Sequence, residues 1–245
     1  LIFRKIRGKL LGAFGGRVKM IIMGGAALNP EVEEWFRRFR LPYTVGYGMT
    51  ECAPLLGYED WDRFVPCSCG KSVDRCQVRI DSEDPALVPG EIQVRGVNVM
   101  SGYYRNPEAT AAAFTEDGWL RTGDLGVMDG DGNIFIRGRS KNMILSSNGQ
   151  NIYPEEIEAI VNNQQYVAES VVVDRGSRLV ALVYFDMDRM AADGLSTDDL
   201  GSLAESVAAS ANRSLPAYSR LSRVEPVDRP FEKTPKMSIR RFLYK

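Results

Sequence analysis

Two glycine-framed stretches carry the residue types best suited to chemistry: "GYGMTE" at 46–51 and "RTGDLG" at 121–126. In the first, Gly46 and Gly48 let backbone amides approach a ligand closely, Tyr47 offers a flat aromatic face, and Thr50 with Glu51 sets a hydroxyl donor beside a pure acceptor. A nucleotide with bound magnesium suits that set. A base can stack on Tyr47, a phosphate oxygen can accept from Thr50, and the Glu51 carboxylate is the hard oxygen ligand that Mg²⁺ selects. Read alone, the hexapeptide fits a tight turn around a buried tyrosine equally well. In the second stretch, Asp124 presents a carboxylate that accepts two hydrogen bonds and so can hold both hydroxyls of a ribose, although an isolated aspartate after glycine is commonly a turn residue.

Composition narrows the chemistry further. The chain has 245 residues, 44% hydrophobic and 26% charged, which describes an ordinary globular protein. Its 31 basic and 32 acidic residues leave a net charge of −1, so no overall field draws nucleic acid or an anionic membrane. No apolar run approaches the roughly 20 residues of a membrane helix, no signal-peptide pattern occurs, and no basic amphipathic helix stands out. The absence of histidine removes Ser-His-Asp and Cys-His nucleophile arrangements within this chain. It also leaves Cys52, Cys67, Cys69 and Cys76 without the usual mixed zinc ligand set, so they are expected to be small, buried, reduced thiols in a cytoplasm. The chain starts at Leu1 without methionine and reads as a piece of a longer protein, with any upstream targeting signal out of view.

The elements that must position these residues change in texture along the chain. Residues 18–23 form an apolar strand closed by Gly24-Gly25, and Asn29-Pro30 caps a helix whose Val32, Trp35, Phe36 and Phe39 predict an apolar stripe against a sheet, with Glu33, Arg37 and Arg38 facing water. A second strand at 43–45 delivers "GYGMTE" at its carboxyl end, where open α/β sheets bind ligands. From about 61 to 137 short runs at 77–81, 91–95 and 133–137, separated by turn residues, predict an all-β module interrupted by one helix capped by Asn106-Pro107. "DGDGN" at 129–133 reads as a hairpin turn, because a calcium loop would need glycine at Ile134 and glutamate at Ser140. Beyond about 140 the pattern becomes α+β: Pro154 opens a helix, runs at 170–173 and 179–185 form a hairpin, and Ser196 or Thr197 caps a longer helix.

Six motifs in order, "GGAALNP", "GYGMTE", "GEIQVRGVNVMSGYY", "GWLRTGDLG", "GRSKNMILSSNGQNIYPEEIE" and "EKTPKMSIRRFLY", make the sequence resemble the AMP-forming acyl-CoA synthetases, the adenylate-forming superfamily that includes luciferase, and most of all the long-chain fatty-acid–CoA ligases. The resemblance implies the fold class: α/β and β, the end of an adenylate-forming N-terminal domain at 1–139 (an α/β sheet layer at 1–60 and a distorted β-barrel at 61–139), then a small mobile α+β C-terminal domain at 140–245. It implies ATP, Mg²⁺ and coenzyme A as cofactors and fatty acid as substrate, joined first to AMP with release of pyrophosphate and then to the CoA thiol. By the same resemblance Gly24, Gly25 and Ala26 line the adenine and acyl wall, Tyr47 stacks on adenine between Gly46 and Gly48, Thr50 contacts phosphates, and Glu51 holds the metal. Asp124 and Arg139 take the ribose, Lys141 is the hinge, and Gly149 lines the CoA channel.

The family's adenylation lysine falls on Ser238, and Lys236 or Lys233 is expected to substitute, Lys236 first. The family's glycine- and serine/threonine-rich phosphate loop does not occur in these residues, so the chain alone is expected to be inactive. Three other readings stay open: an acyl-AMP ligase loading a carrier protein, an aryl- or amino-acid-adenylating enzyme, and an adenylate-binding protein without catalysis. Peripheral membrane contact, invited by a fatty substrate, and oligomeric state are likewise left open.

Overall fold

The computed structural model describes residues 2–25, 27–146, 148–235 and 237–244. The chain divides into two compact units, Leu1–Ser140 and Lys141–Lys245.

In the first unit, helix α1 (Ile2–Ala13) is followed by β1 (Ile21–Met23), α2 (Pro30–Arg38) and β2 (Tyr43–Val45), with β1 and β2 parallel and Met23 opposite Val45. Helix α2 starts where expected, since the Asn29 side chain accepts from the backbone N–H groups of Glu31 and Val32 and Pro30 occupies the first turn. Strands β3 (Tyr47–Gly48), β4 (Leu55–Tyr58) and β5 (Lys71–Ser72) form an antiparallel sheet. A four-stranded antiparallel meander follows, β6 (Cys76–Asp81), β7 (Gly90–Gly96), β8 (Leu120–Met128) and β9 (Ile134–Arg139), with helix α3 (Pro107–Ala113) between β7 and β8. The two sheets are stitched where Cys69 N–H donates to Ile134 O (2.7 Å) and Ile134 N–H donates to Gly70 O (2.9 Å). Their shared core holds Val45, Tyr47, Cys52, Leu56, Ile92, Val94, Leu120 and Ile134. Among the described residues the sheets remain open, so the β module expected as a distorted barrel is a pair of joined sheets.

Three further expectations are corrected here. Helix α1 is basic and amphipathic: Arg4, Lys5, Arg7 and Lys9 accompany an apolar row at Ile2, Ile6 and Leu10, and Ile2, Phe3 and Leu10 are exposed. No helix among the described residues is long and apolar enough to cross a membrane. On α2, Glu33 is the buried residue at 2% exposure, while Val32 and Trp35 are exposed. The reason is hydrogen bonding, because the Glu33 carboxylate accepts from the Tyr43 hydroxyl at 3.0 Å and from the Cys67 N–H at 3.0 and 3.1 Å. Trp35 instead stacks on Phe39 with ring centroids 5.5 Å apart. Finally, all four cysteines are free thiols, but Cys67 is exposed at a left-handed backbone position. Burial pushes the Cys52 and Cys69 thiols up to about 12.

The hairpin at 129–133 is closed by Asp129, whose carboxylate accepts from the N–H groups of Asp131 (3.0 Å) and Asn133 (2.8 Å) and from Asn133 Nδ2 (2.8 Å). No cluster of metal-ligating side chains occurs there among the described residues.

The second unit contains the hairpin β10 (Ile144–Leu145) and β11 (Asn151–Ile152), helix α4 (Pro154–Asn162), the antiparallel pair β12 (Val167–Asp174) and β13 (Leu179–Phe185), helices α5 (Met187–Ala192) and α6 (Leu200–Ser214), and β14 (Arg223–Pro226), which pairs parallel to β13. Strand β13 reads "LVALVYF" because both its faces are covered. Ala181, Val183 and Phe185 pack in the cluster of α4 and α6, whereas Val180, Leu182 and Tyr184 meet Phe231, Ile239 and Tyr244 of the terminal segment. That segment is pinned by Arg241, whose Nη1 donates to both Glu158 carboxylate oxygens (2.6 and 2.7 Å) and whose Nη2 donates to Val172 O (3.1 Å).

Replacing Glu33 with alanine leaves the buried Tyr43 hydroxyl and the Cys67 N–H without their acceptor, so denaturant titration should show a loss of about 1–3 kcal/mol. With Ellman's reagent on the folded chain, the exposed Cys67 should react first, but slowly because burial and the Glu33 carboxylate raise its thiol pKa, and Cys52, Cys69 and Cys76 only after unfolding.

Candidate active site

The site grows from the end of β2. Gly46 N–H donates to Met23 O at 2.7 Å, extending the parallel pairing, and a Cβ on Gly24 would lie 3.1 Å from Gly46 O. A side chain at Gly24 would press on that carbonyl by a few tenths of an ångström, and a Cβ on Gly46 would lie 3.3 Å from Leu55 Cδ1, so both positions are tight. Gly48 is more constrained, since a Cβ there would lie 2.1 Å from Pro54 O, and that same carbonyl accepts from Met49 N–H at 2.8 Å. Between these points Thr50–Cys52 form one 3₁₀ turn, Ala53 adopts a left-handed conformation, and the Ala53–Pro54 bond is cis. The loop is thus folded back on β3 and carries Thr50 and Glu51 outward, with Thr50 exposed, Glu51 partly so, and Cys52 buried.

Tyr47 joins this loop to the second glycine-framed stretch. Its hydroxyl donates to Asp124 Oδ2 at 2.7 Å across 77 residues of sequence. Asp124 lies on β8 directly opposite Arg139 on β9, and Arg139 Nε meets Asp124 Oδ1 at 2.9 Å. Gly123, at φ +72°, and register shifts in β8, against β7 before Leu125 and against β9 after it, give this strand an irregular course on both sides of that residue. The path is fixed by neighbours: the Thr122 hydroxyl donates to Ile92 O (2.7 Å) and accepts from Asp124 N–H (3.1 Å), Gly123 N–H donates to Glu91 Oε1 (3.2 Å), and Arg139 Nη1 donates to Thr122 O (3.2 Å). The Asp124 side chain is nearly buried while that of Arg139 is more than half exposed, so the pair presents a cation at the surface and a carboxylate edge beneath it. Burial, and then the Asp124 charge, raise the Tyr47 phenol well above its usual range, so it stays a neutral donor.

The structure therefore brings Gly24, Gly46, Tyr47, Gly48, Asp124 and Arg139 into one connected arrangement, with Thr50 and Glu51 on the adjoining turn. Gly25 adopts φ +87° just past β1. One expectation is corrected: Tyr47 is 6% exposed and belongs to the core cluster, so its ring has no open face for a base to stack on, and its contribution is the hydroxyl. Ala26 and Lys236 lie outside the described residues. Lys141 and Gly149 belong to the second unit; Gly149, at φ +82° in the turn between β10 and β11, occupies a conformation that favours glycine. Ser238 closes a turn in which Thr234 N–H donates to Ser238 O at 2.8 Å and Lys233 bridges Ile239. Lys233 itself is ion-paired with Glu169 at 2.9 Å.

Several participants were not singled out from the sequence. Glu91 and Thr122 shape the backbone under Asp124, and Tyr103, within "SGYY", donates its hydroxyl to Glu51 Oε1 at 3.0 Å. Glu51 makes no ion pair with a described residue, and its other oxygen makes no hydrogen bond to one. A partly exposed carboxylate with one oxygen held and the other paired with no cation among the described residues suits a hard divalent ion that takes the rest of its shell from phosphate and water.

Residues 5–104 match the family described as AMP-binding enzyme, and residues 141–244 match the AMP-binding enzyme C-terminal domain. The chain is 34% identical over 187 residues to the long-chain-fatty-acid–CoA ligase FadD15 of Mycobacterium bovis, an overlap of 76% of this chain and 29% of that protein. It is 40% identical over 177 residues to the indoleacetate–CoA ligase of Aromatoleum aromaticum, an overlap of 66% and 34%. Among solved structures it superimposes on O-succinylbenzoate coenzyme A synthetase from Bacillus subtilis in complex with AMP at a TM-score of 0.77 and 25% identity, covering 99% of this chain and 49% of that one. The chain thus spans about a third of the length of these curated relatives.

Gly48→Ala should force the Pro54 carbonyl aside and lower stability by about 1–3 kcal/mol in denaturant titrations. Gly130→Ala, where a Cβ meets nothing within 4 Å, should stay within about 0.5 kcal/mol.

Proposed function

Because the chain belongs to the AMP-binding enzyme family, we propose that it supplies the ribose- and metal-facing part of an AMP-forming acid–thiol ligase whose carboxylate substrate is a fatty acid. The observation that carries this reading is the convergence of the Tyr47 hydroxyl and the Arg139 guanidinium on Asp124, which ties "RTGDLG" to the turn bearing Thr50 and Glu51.

In this reading the substrate carboxylate attacks the α-phosphorus of ATP, forming an acyl-adenylate and expelling pyrophosphate. The thiolate of coenzyme A then attacks the acyl carbon and AMP leaves. Asp124 accepts from the ribose hydroxyls, and Arg139, with its five donors, supplies hydrogen bonds to ribose or phosphate oxygens. The exposed Thr50 hydroxyl donates to a phosphate oxygen. Glu51 holds Mg²⁺, which offsets charge on the phosphates when bound. These groups are set in advance by the folded loop, so stabilisation of developing charge needs little reorganisation and no histidine. In the second unit, Lys141 serves as the hinge and Gly149 lines the path of the thiol arm.

Lys236 supplies the cation that Ser238 cannot. The ion pair of Lys233 with Glu169 supports this assignment over Lys233, because withdrawing that lysine would leave a partly buried glutamate unpaired. A second reading, an arylacetate or other aromatic acid as substrate, is favoured by the 40% identity to the indoleacetate–CoA ligase.

Substrate-dependent exchange of pyrophosphate into ATP by the full-length enzyme, across a panel of fatty, aryl and amino acids, tests the reading. Fatty acids should support exchange; exchange with aromatic acids alone would establish the second reading instead. Lys236→Ala should lower acyl-adenylate formation on the order of a hundredfold while sparing thioester formation from supplied acyl-adenylate. Equal mild losses in both steps would remove Lys236 from this role. The 245-residue chain by itself should yield no acyl-CoA in the same assay.

A further inference from the structure

The segment after β7, "VNVMSGYYRNPEAT" at 97–110, touches no substrate in the proposed reaction, yet it brackets the metal-facing turn. Asn98 Nδ2 donates to Cys52 O at 3.0 Å and to Leu55 O at 2.8 Å. Met100 N–H donates to Glu51 O at 2.7 Å. Tyr103 then reaches the Glu51 carboxylate itself, its hydroxyl donating to Oε1 at 3.0 Å. The backbone and the functional end of Glu51 are thus each held by this one segment.

The tyrosine is itself placed by α3. Asn106 caps that helix by accepting from Ala109 N–H at 3.0 Å, which fixes the first turn and carries Thr110 back toward the loop. The Thr110 hydroxyl donates to Asn106 O (2.8 Å) and accepts from Tyr103 N–H (2.9 Å). Gly102 is where this closes up: its φ is +152°, and a Cβ there would lie 2.7 Å from Thr110 Cγ2. The short helix therefore sets Thr110, Thr110 sets the Tyr103 backbone, and the Tyr103 phenol sets one oxygen of Glu51.

We propose that Tyr103 is a positioning residue for Glu51, orienting its carboxylate so that the second oxygen faces the divalent ion carried by the nucleotide, with Thr110 and α3 as its support. The inference rests on Glu51 being the metal ligand and adds the groups that aim it. A carboxylate on a turn at the surface rotates freely about its terminal bonds. A single donor on one oxygen removes most of that freedom before the metal arrives, and hydrogen bonds of this kind to a ligand typically contribute about ten- to a hundredfold in metal affinity. Because Tyr103 is 41% exposed, its bond to Glu51 is weakened by solvent, and the lower end of that range applies.

The test uses the full-length enzyme and Mn²⁺ as a spectroscopic stand-in for Mg²⁺. Electron paramagnetic resonance titration in the presence of a non-hydrolysable ATP analogue reads metal affinity without turnover. Tyr103→Phe, which keeps the ring, should raise the Mn²⁺ dissociation constant and the Mg²⁺ half-saturation for adenylation about tenfold. At saturating metal its kcat should stay within about twofold of wild type. Thr110→Val should shift both metal constants in the same direction by less. Measured against the same nucleotide without enzyme, Glu51→Gln should abolish the enzyme-dependent part of the Mn²⁺ signal change. If Tyr103→Phe leaves both metal constants unchanged while Glu51→Gln removes binding, the positioning role is overturned and the ligase reading stands. If Glu51→Gln binds Mn²⁺ as wild type does, the metal assignment and the positioning role fall together.

Discussion

The candidate site depends on one shared carboxylate. Asp124 is 8% exposed, and an ionised side chain that deep must find partners or carry a large desolvation penalty. It finds a phenol from β3 on one oxygen and a guanidinium from the facing strand on the other. Each bond is ordinary in length, but together they determine where two segments far apart in sequence meet. The Tyr47 ring is buried in the same core that joins the two sheets, so the hydroxyl has little freedom to point elsewhere. The core's apolar packing and the site's polar geometry are therefore one arrangement viewed from its two ends.

Around that carboxylate the chain solves a space problem by omitting side chains. Gly24 eases the approach of the ends of β1 and β2, Gly46 leaves room for Leu55, and Gly48 lets the loop through Pro54 fold back onto its own strand. The result is a turn whose backbone groups are used internally while Thr50 and Glu51 project outward. A turn so tightly closed is well suited to presenting a hydroxyl and a carboxylate in a fixed relation, which is what electrostatic stabilisation without reorganisation requires.

The second unit relies on a comparable device. Strand β13 is covered by helices on one face and by the terminal segment on the other, and that segment is held by Arg241, whose Nη1 donates to both oxygens of the buried Glu158. Burial pushes the Glu158 carboxyl up, and Arg241 together with the Val172 N–H pulls it back toward ionisation. The basic terminal stretch, which by charge alone would be a solvated tail, is anchored through Phe231, Ile239, Tyr244 and the Lys233–Glu169 pair.

Much of this was legible in the sequence, and the limit is physical. Cap and turn chemistry is local, so Asn29-Pro30, Asn106-Pro107 and the Asp129 turn announce themselves through neighbours a few residues away. The ordered motifs identified the family, and with it Asp124 and Arg139, whose adjacency then follows from a hairpin. What no local pattern carries is which buried polar group satisfies which. Glu33 looks like a solvent-facing helix position until Tyr43 and Cys67 arrive, Tyr47 looks like an open aromatic face until the core closes over it, and Tyr103 looks like one residue of a glycine-tyrosine loop until Thr110 turns it toward Glu51. Those outcomes depend on partners 7 to 77 residues away, and they are decided when burial removes water as the alternative partner, which happens only in the folded chain.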